Sequence, residues 1–60
     1  MFEYSDVEGD KITVDNDTSH VFVSIEGIDD ESGSVALPWN IAMDFARDVI
    51  KRAETLNISI

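Results

Sequence analysis

The chain has 60 residues, of which thirteen are acidic and four are basic, for a formal net charge of −9 at pH 7, and it contains no cysteine. This charge disfavours direct binding to nucleic acid or to anionic membranes, and the absence of cysteine excludes disulfides and thiolate metal sites. A domain of this size buries only about 60% of the surface that its unfolded chain exposes. We therefore expect a single domain, residues 1–60, that gains further burial from a second protein chain.

Four short segments alternate between apolar and polar residues, which is the pattern of β-strands with one buried face. They lie at about 2–7, 11–15, 20–26 and 34–37, with turn-forming residues between them. The third segment shows the pattern most clearly, since Val21, Val23 and Ile25 share one face. A parallel crossover needs about a dozen residues, and these connections are shorter. We predict an antiparallel meander of three or four strands.

The C-terminal stretch PWNIAMDFARDVIKRAETL predicts one long helix over residues 38–56. Pro38 suits the first helical turn, where the backbone needs no amide donor. After the helix, the alternation of Leu56, Ile58 and Ile60 suggests a short edge strand. The predicted fold is α+β, of the type βββ(β)α, with the helix packed on one face of the sheet.

The predicted helix is apolar over an arc of roughly 200°, about twice the stripe that packing on one surface requires. Ala42 and Val49 lie near the centre of the arc and Phe45 lies on one flank. The other flank carries a ridge of four residues: Trp39, Met43, Ala46 and Ile50. Either the twisted sheet and the loop after the third strand cover this ridge, or the ridge is exposed and contacts another protein. Because Trp and Met are enriched at interfaces, we predict a partner here, with a homodimer as the first expectation.

The acidic residues are concentrated in the first 37 positions, where ten acids stand against one lysine. Such acids can simply keep a small protein in solution. Alternatively, ordered carboxylates can imitate phosphates and occupy the basic groove of a DNA- or RNA-handling protein. In this respect the chain resembles, in type only, the small acidic cysteine-free inhibitors that phages encode. No motif connects it to a particular family.

No motif indicates catalysis, a cofactor or a metal. A serine or cysteine nucleophile motif and a Gly-rich phosphate loop are both missing. The single histidine, His20, cannot build a zinc site without cysteines or well-placed carboxylates. We predict that the chain is not an enzyme and has no catalytic, cofactor-binding or metal-binding residues. The first residues lack the pattern of a secretory signal, and no apolar run approaches the roughly 20 residues of a membrane span. We expect a cytoplasmic protein.

The leading functional prediction is a small, acidic, non-enzymatic interaction module that binds and modulates a larger protein, in the manner of an inhibitor. The alternative is a nucleic-acid mimic, and the second alternative is a small structural subunit of an assembly. We expect a homodimer whose protein partner has a basic surface, without direct binding to nucleic acid or membrane. The predicted partner-binding residues are apolar and aromatic groups on the helix and the third strand, together with one acidic run: Trp39, Met43, Ile50, Phe22, Asp29, Asp30 and Glu31.

Overall fold

The computed structural model describes residues 1–28 and 32–58. Its elements are strands β1 (Phe2–Ser5), β2 (Lys11–Asn16), β3 (His20–Glu26) and β4 (Ser32–Pro38), followed by helix α1 (Trp39–Ile58). The strands form one antiparallel sheet in the order β1-β2-β3-β4. The predicted α+β fold, a meander followed by one C-terminal helix, is confirmed. Among these described residues, no helix is both long enough and apolar enough to cross a membrane.

The two ends of the helix differ from the prediction. Pro38 is the last residue of β4, so the strand passes into the helix without a loop. β4 is an edge strand of the sheet, which is where a proline within a sheet is normally tolerated. At the other end, Leu56 and Ile58 continue the helix, so the predicted edge strand is wrong over these residues, and Ile60 lies outside the described range. Extending an existing helix adds a hydrogen bond for each residue fixed, which outweighs a weak strand pattern.

The register of the sheet gathers the apolar side chains on one side. Val23 lies opposite Val14 in β2 and Val35 in β4, and directly opposed residues share a face. This side, which we call the apolar face, carries aliphatic or aromatic residues from all four strands: Phe2, Tyr4, Ile12, Val14, Val21, Val23, Ile25, Val35 and Leu37. The opposite side, the outer face, carries mainly Ser, Thr and charged residues, with Phe22 among them.

The β1–β2 turn is organised by Asp6 and Gly9. One carboxylate oxygen of Asp6 accepts hydrogen bonds from the amides of Glu8 and Asp10, each at 3.0 Å. Gly9 has a φ of +92°, a conformation that side chains with a Cβ rarely adopt. A Cβ at this position would also lie 2.6 Å from Cγ2 of Ile28, which follows β3. The turn therefore requires glycine for two independent reasons.

The β2–β3 turn is organised by Asp17. Its carboxylate accepts hydrogen bonds from the amide of Ser19 at 2.8 Å, the amide of His20 at 2.9 Å and the hydroxyl of Ser19 at 3.1 Å. The amide of Ser19, followed by that of His20, lowers the pKa of the Asp17 carboxyl below its ordinary value. Both hairpin turns are thus closed by contacts between residues at most four positions apart.

The sheet and the helix do not enclose a hydrophobic core. Among the described residues, no side chain is buried. The radius of gyration is 13.3 Å, whereas a compact chain of 60 residues is expected to have about 10 Å. The helix backbone approaches β4 and β3, and within the described chain it makes no comparable approach to β1 or β2. The helix therefore stands away from most of the apolar face.

Candidate docking groove between the sheet and the helix

A groove of about 640 Å³ separates the apolar face of the sheet from the helix. Every described residue that lines it is apolar. The sheet contributes Phe2, Ile12, Val14, Val21 and Val23, and the helix contributes Trp39, Ala42, Met43, Phe45, Ala46, Val49 and Ile50. The described lining contains no nucleophile, acid or base, and its apolar walls are suited to binding an apolar surface.

The direct junction between β4 and α1 positions the helical wall. Pro38 has a fixed φ and precedes Trp39, the first helical residue, so the direction in which the helix leaves the sheet is set at this junction. Apolar residues recur on the helix at spacings of three and four, which places them along one side. That side runs above the apolar face, and the polar side of the helix points away from it.

The exposed fractions show how open the groove is. Trp39 is 72% exposed, Phe45 is 46% exposed and Val49 is 49% exposed. Among the helical side chains that the structure describes, Ala42 alone is half-buried. On the sheet, the apolar residues of the two central strands, apart from Ile25, are half-buried because their neighbours flank them. Both walls therefore present apolar surface that nothing in the described chain covers.

The structure places the predicted partner-binding residues in three different situations. Trp39, Met43 and Ile50 line the groove. Phe22 lies on the outer face, half-buried and paired with Asp15 and Ala36, so it is remote from the groove. The acidic run at positions 29–31 lies outside the described residues.

Sequence reasoning divided the apolar arc of the helix into a core-facing centre and an outward ridge. In the structure, Ala42 and Val49 from the centre line the same groove as Trp39 and Met43 from the ridge. Within the described residues, the sheet leaves the ridge uncovered, since Trp39 is largely exposed. Ala46 of the ridge and Phe45 of the opposite flank also line the groove, so both flanks of the predicted apolar arc contribute to it.

Three carboxylates that the sequence did not single out converge at the β1–β2 turn. Carboxylate oxygens of Asp6, Glu8 and Asp10 all lie within 4.8 Å of one another. The alternation of acids around Gly9 is the signal that could have indicated this convergence. Asp6 uses one oxygen to hold the amides of Glu8 and Asp10. The geometry of the turn therefore accounts for the cluster, and we assign it no ligand.

Charges on the polar side of the helix largely compensate one another. The side chain of Arg52 lies 2.7 Å from the carboxylate of Asp48, and that of Arg47 lies 3.7 Å from the carboxylate of Asp44. Residues 38–60 contain three acids and three bases, so the segment that includes the helix is neutral. The net negative charge of the protein consequently resides on the strands and their turns, away from the helical wall of the groove.

Comparison with protein-family models, curated proteins and solved structures gives no match for this chain. The functional interpretation therefore depends on the groove, the exposed apolar residues and the distribution of charge.

Proposed function

We propose that this chain is a small, acidic, non-enzymatic interaction module that binds and modulates a larger protein. In this proposal the groove is covered by a polypeptide chain, and the acidic turns face a basic target. The observation that carries the proposal is the groove itself: twelve apolar residues line it, and no side chain in the described part of the chain is buried. Contiguous exposed apolar surface of this extent is typical of protein interaction sites.

The shape and lining of the groove favour a protein over a small molecule. Ligand pockets usually combine apolar walls with a few polar groups that orient the ligand. The described lining of this groove contains no polar group that could orient a ligand, and the groove is open rather than enclosed. An apolar protein surface needs no orienting polar group inside the groove, because the polar rim of an interface supplies its specificity.

The charge distribution supports a basic target for the rest of the surface. Ten of the thirteen acids lie in the first 37 residues. Asp6, Glu8 and Asp10 are concentrated in one turn, and Asp15 and Asp17 lie at the opposite end of β2. Ordered carboxylates at both ends of the sheet raise the rate of encounter with a positively charged surface.

Affinity capture from a lysate of the organism that encodes the chain tests this proposal. The baits are the wild-type protein, Ala46→Arg, which places a charge in the groove, and Thr55→Arg, which places the same charge on the polar side of the helix. We expect the wild type and Thr55→Arg to retain the same target. Ala46→Arg is expected to retain less of it, because a groove that cannot be covered leaves the module incomplete.

Salt separates the main proposal from its alternatives. We expect capture to weaken, but persist in part, between about 50 mM and 500 mM salt, because apolar contacts resist screening while charge pairs do not. A nucleic-acid-handling target that is lost completely at high salt and is indifferent to Ala46→Arg would favour the nucleic-acid mimic. Retention of no protein by the wild type at either salt concentration would contradict the proposed function.

A further inference from the structure

We infer that a second copy of this chain fills the groove, in a twofold dimer whose two helices lie side by side between two sheets. Each helix then packs in the partner's groove, against the partner's apolar face. This inference rests on the proposed function, which requires that some polypeptide cover the groove, and it identifies that polypeptide.

The surface area of the chain matches what a stable dimer buries. The chain exposes 5175 Å², whereas a compact monomer of 6.7 kDa is expected to expose about 3,900 Å². The excess is about 1,300 Å² per chain, or about 2,500 Å² for two chains. Obligate homodimers typically bury about 2,000–5,000 Å² in total. Docking of two copies removes an excess of this size, and the enlarged radius of gyration is consistent with the same open arrangement.

The two walls of the groove complement each other between copies. The apolar face of one chain lacks a closely packed helix, and the helix of the other chain lacks a second apolar surface. A second copy supplies a helix for the apolar face and an apolar surface for the helix. This is the self-complementarity that a twofold interface requires. The arrangement also explains why the helix is apolar over about 200°: a helix between two sheets and beside another helix needs more than the usual stripe.

The charge distribution permits two acidic chains to meet in this way. Among the residues that the structure describes, no charged side chain lines the groove. The helical segment is neutral, and its pairs Arg52–Asp48 and Arg47–Asp44 compensate locally. The acids of the strands lie on the outer face or at the turns, as the pairing of Glu3 with Lys11 at 3.2 Å on the outer face illustrates. The repulsion between two copies therefore acts at the periphery, where water and salt screen it.

Sedimentation equilibrium of the full-length wild type, Ala46→Arg and Thr55→Arg tests the inference. We expect the wild type to have twice the monomer mass of 6.7 kDa. Ala46→Arg is expected to raise the dimer dissociation constant at least about 30-fold, because both copies then place a charge in an apolar interface. Arginine and alanine are both good helix formers, so the helix itself tolerates the change. Thr55→Arg is expected to leave the constant within about threefold.

Acrylamide quenching of Trp39, the only tryptophan, reports on the groove independently of any variant. In the wild type we expect quenching to decrease as concentration rises through the dissociation constant. A monomer at all concentrations with readily quenched Trp39 would overturn the second copy as the occupant while leaving the proposed function intact. A monomer with protected Trp39 would contradict both, because the chain would then cover its own groove. Two results from a dimeric protein would also overturn the inference, because they would place the interface elsewhere. One is a folded Ala46→Arg variant that dimerises as tightly as the wild type. The other is quenching of Trp39 that does not change with protein concentration.

Discussion

The two faces of the sheet differ in how their interactions are satisfied. On the outer face, polar side chains pair across neighbouring strands. The hydroxyl of Ser24 donates a hydrogen bond to that of Ser34 at 3.1 Å, and Lys11 forms an ion pair with Glu3. The turns are closed in the same manner by Asp6 and Asp17. Within the described chain, the side chains of the apolar face are not buried, because the helix lies away from them and leaves a groove.

The two faces also differ in how much they contribute to the free energy of folding. Exposed polar contacts and turn hydrogen bonds contribute little each, and they fix geometry more than stability. Burial of apolar surface is the dominant favourable term in folding, and the described chain leaves most of that surface in water. The outer face is therefore satisfied within one chain, whereas the described chain leaves the apolar face uncovered, and the proposed dimer would cover it.

The largest expected effect on stability is that of an aspartate introduced on the apolar face of β3, compared with an aspartate at the adjacent residue on the outer face. Val23 lies on the apolar face and Ser24 on the outer face. If the groove is filled, Val23→Asp leaves an unpaired charge in an apolar interface and lowers the free energy of unfolding by about 3–5 kcal/mol. Ser24→Asp is expected to change it by no more than about 1 kcal/mol, since only an exposed hydrogen bond is lost. Urea unfolding of both variants at equal concentration measures the contrast, and equal losses would argue that the faces do not differ.

Two glycine-to-alanine substitutions test whether the β1–β2 turn requires glycine. Gly9→Ala is expected to lower the free energy of unfolding by about 1–3 kcal/mol, because Gly9 has positive φ and a Cβ would meet Ile28. A Cβ added at Gly33 in β4 would meet no heavy atom within 4 Å beyond its chain neighbours, so Gly33→Ala is the matched control. We expect this control to change stability by less than about 0.5 kcal/mol. Thermal unfolding that ranks the two variants in the opposite order would contradict the account of the turn.

Protonation of Asp17 should produce a smaller effect that depends on pH. A carboxyl whose pKa is lowered by folding stabilises the fold above its ordinary pKa of 3.8, and this contribution disappears as pH falls through the lower folded value. Asp17→Asn removes the charge but keeps an acceptor for the amides of Ser19 and His20. We therefore expect the wild type to have a higher melting temperature than Asp17→Asn at neutral pH, with the difference vanishing in strong acid. A difference that is independent of pH would exclude the ionised carboxylate as its source.

The smallest expected effect concerns the exposed ion pair on the helix. Arg52→Ala removes the contact with Asp48, and we expect a loss of only about 0.2–0.5 kcal/mol at low salt. High salt should reduce that loss further, because both side chains are exposed. Chemical unfolding at two ionic strengths measures it. A loss comparable to that of Val23→Asp would mean that local surface contacts, rather than groove burial, stabilise the protein.

The sequence was sufficient for the fold because the hairpins are encoded locally. Alternation in β2 and β3 identified the apolar face, and the residues around Gly9 and Asp17 marked the turns. The ends of the helix were less predictable. Pro38 is compatible with both a helical first turn and an edge strand, and Leu56 fits both a helical face and a short alternating tail.

The candidate site was predictable only in part. The 200° apolar arc indicated that the helix carries more apolar surface than one sheet covers. The separation between the helix and the sheet depends on how the chain turns where β4 passes directly into α1, which residue patterns do not specify. Residue patterns therefore separate Val49, at the centre of the apolar arc, from Trp39 on the ridge, although both line one groove. The convergence of Asp6 with its neighbours likewise required the folded turn.

The most direct test of the central claim is a filtered NOE experiment on an equal mixture of isotope-labelled and unlabelled chains. It detects contacts between copies and excludes contacts within one copy. The account predicts NOEs from the Met43 methyl and Val49 methyl groups of one chain to Val14 and Val23 of the other. If these NOEs are missing from the filtered spectrum while helix-to-sheet NOEs are present in the unfiltered spectrum, the proposed dimer is contradicted.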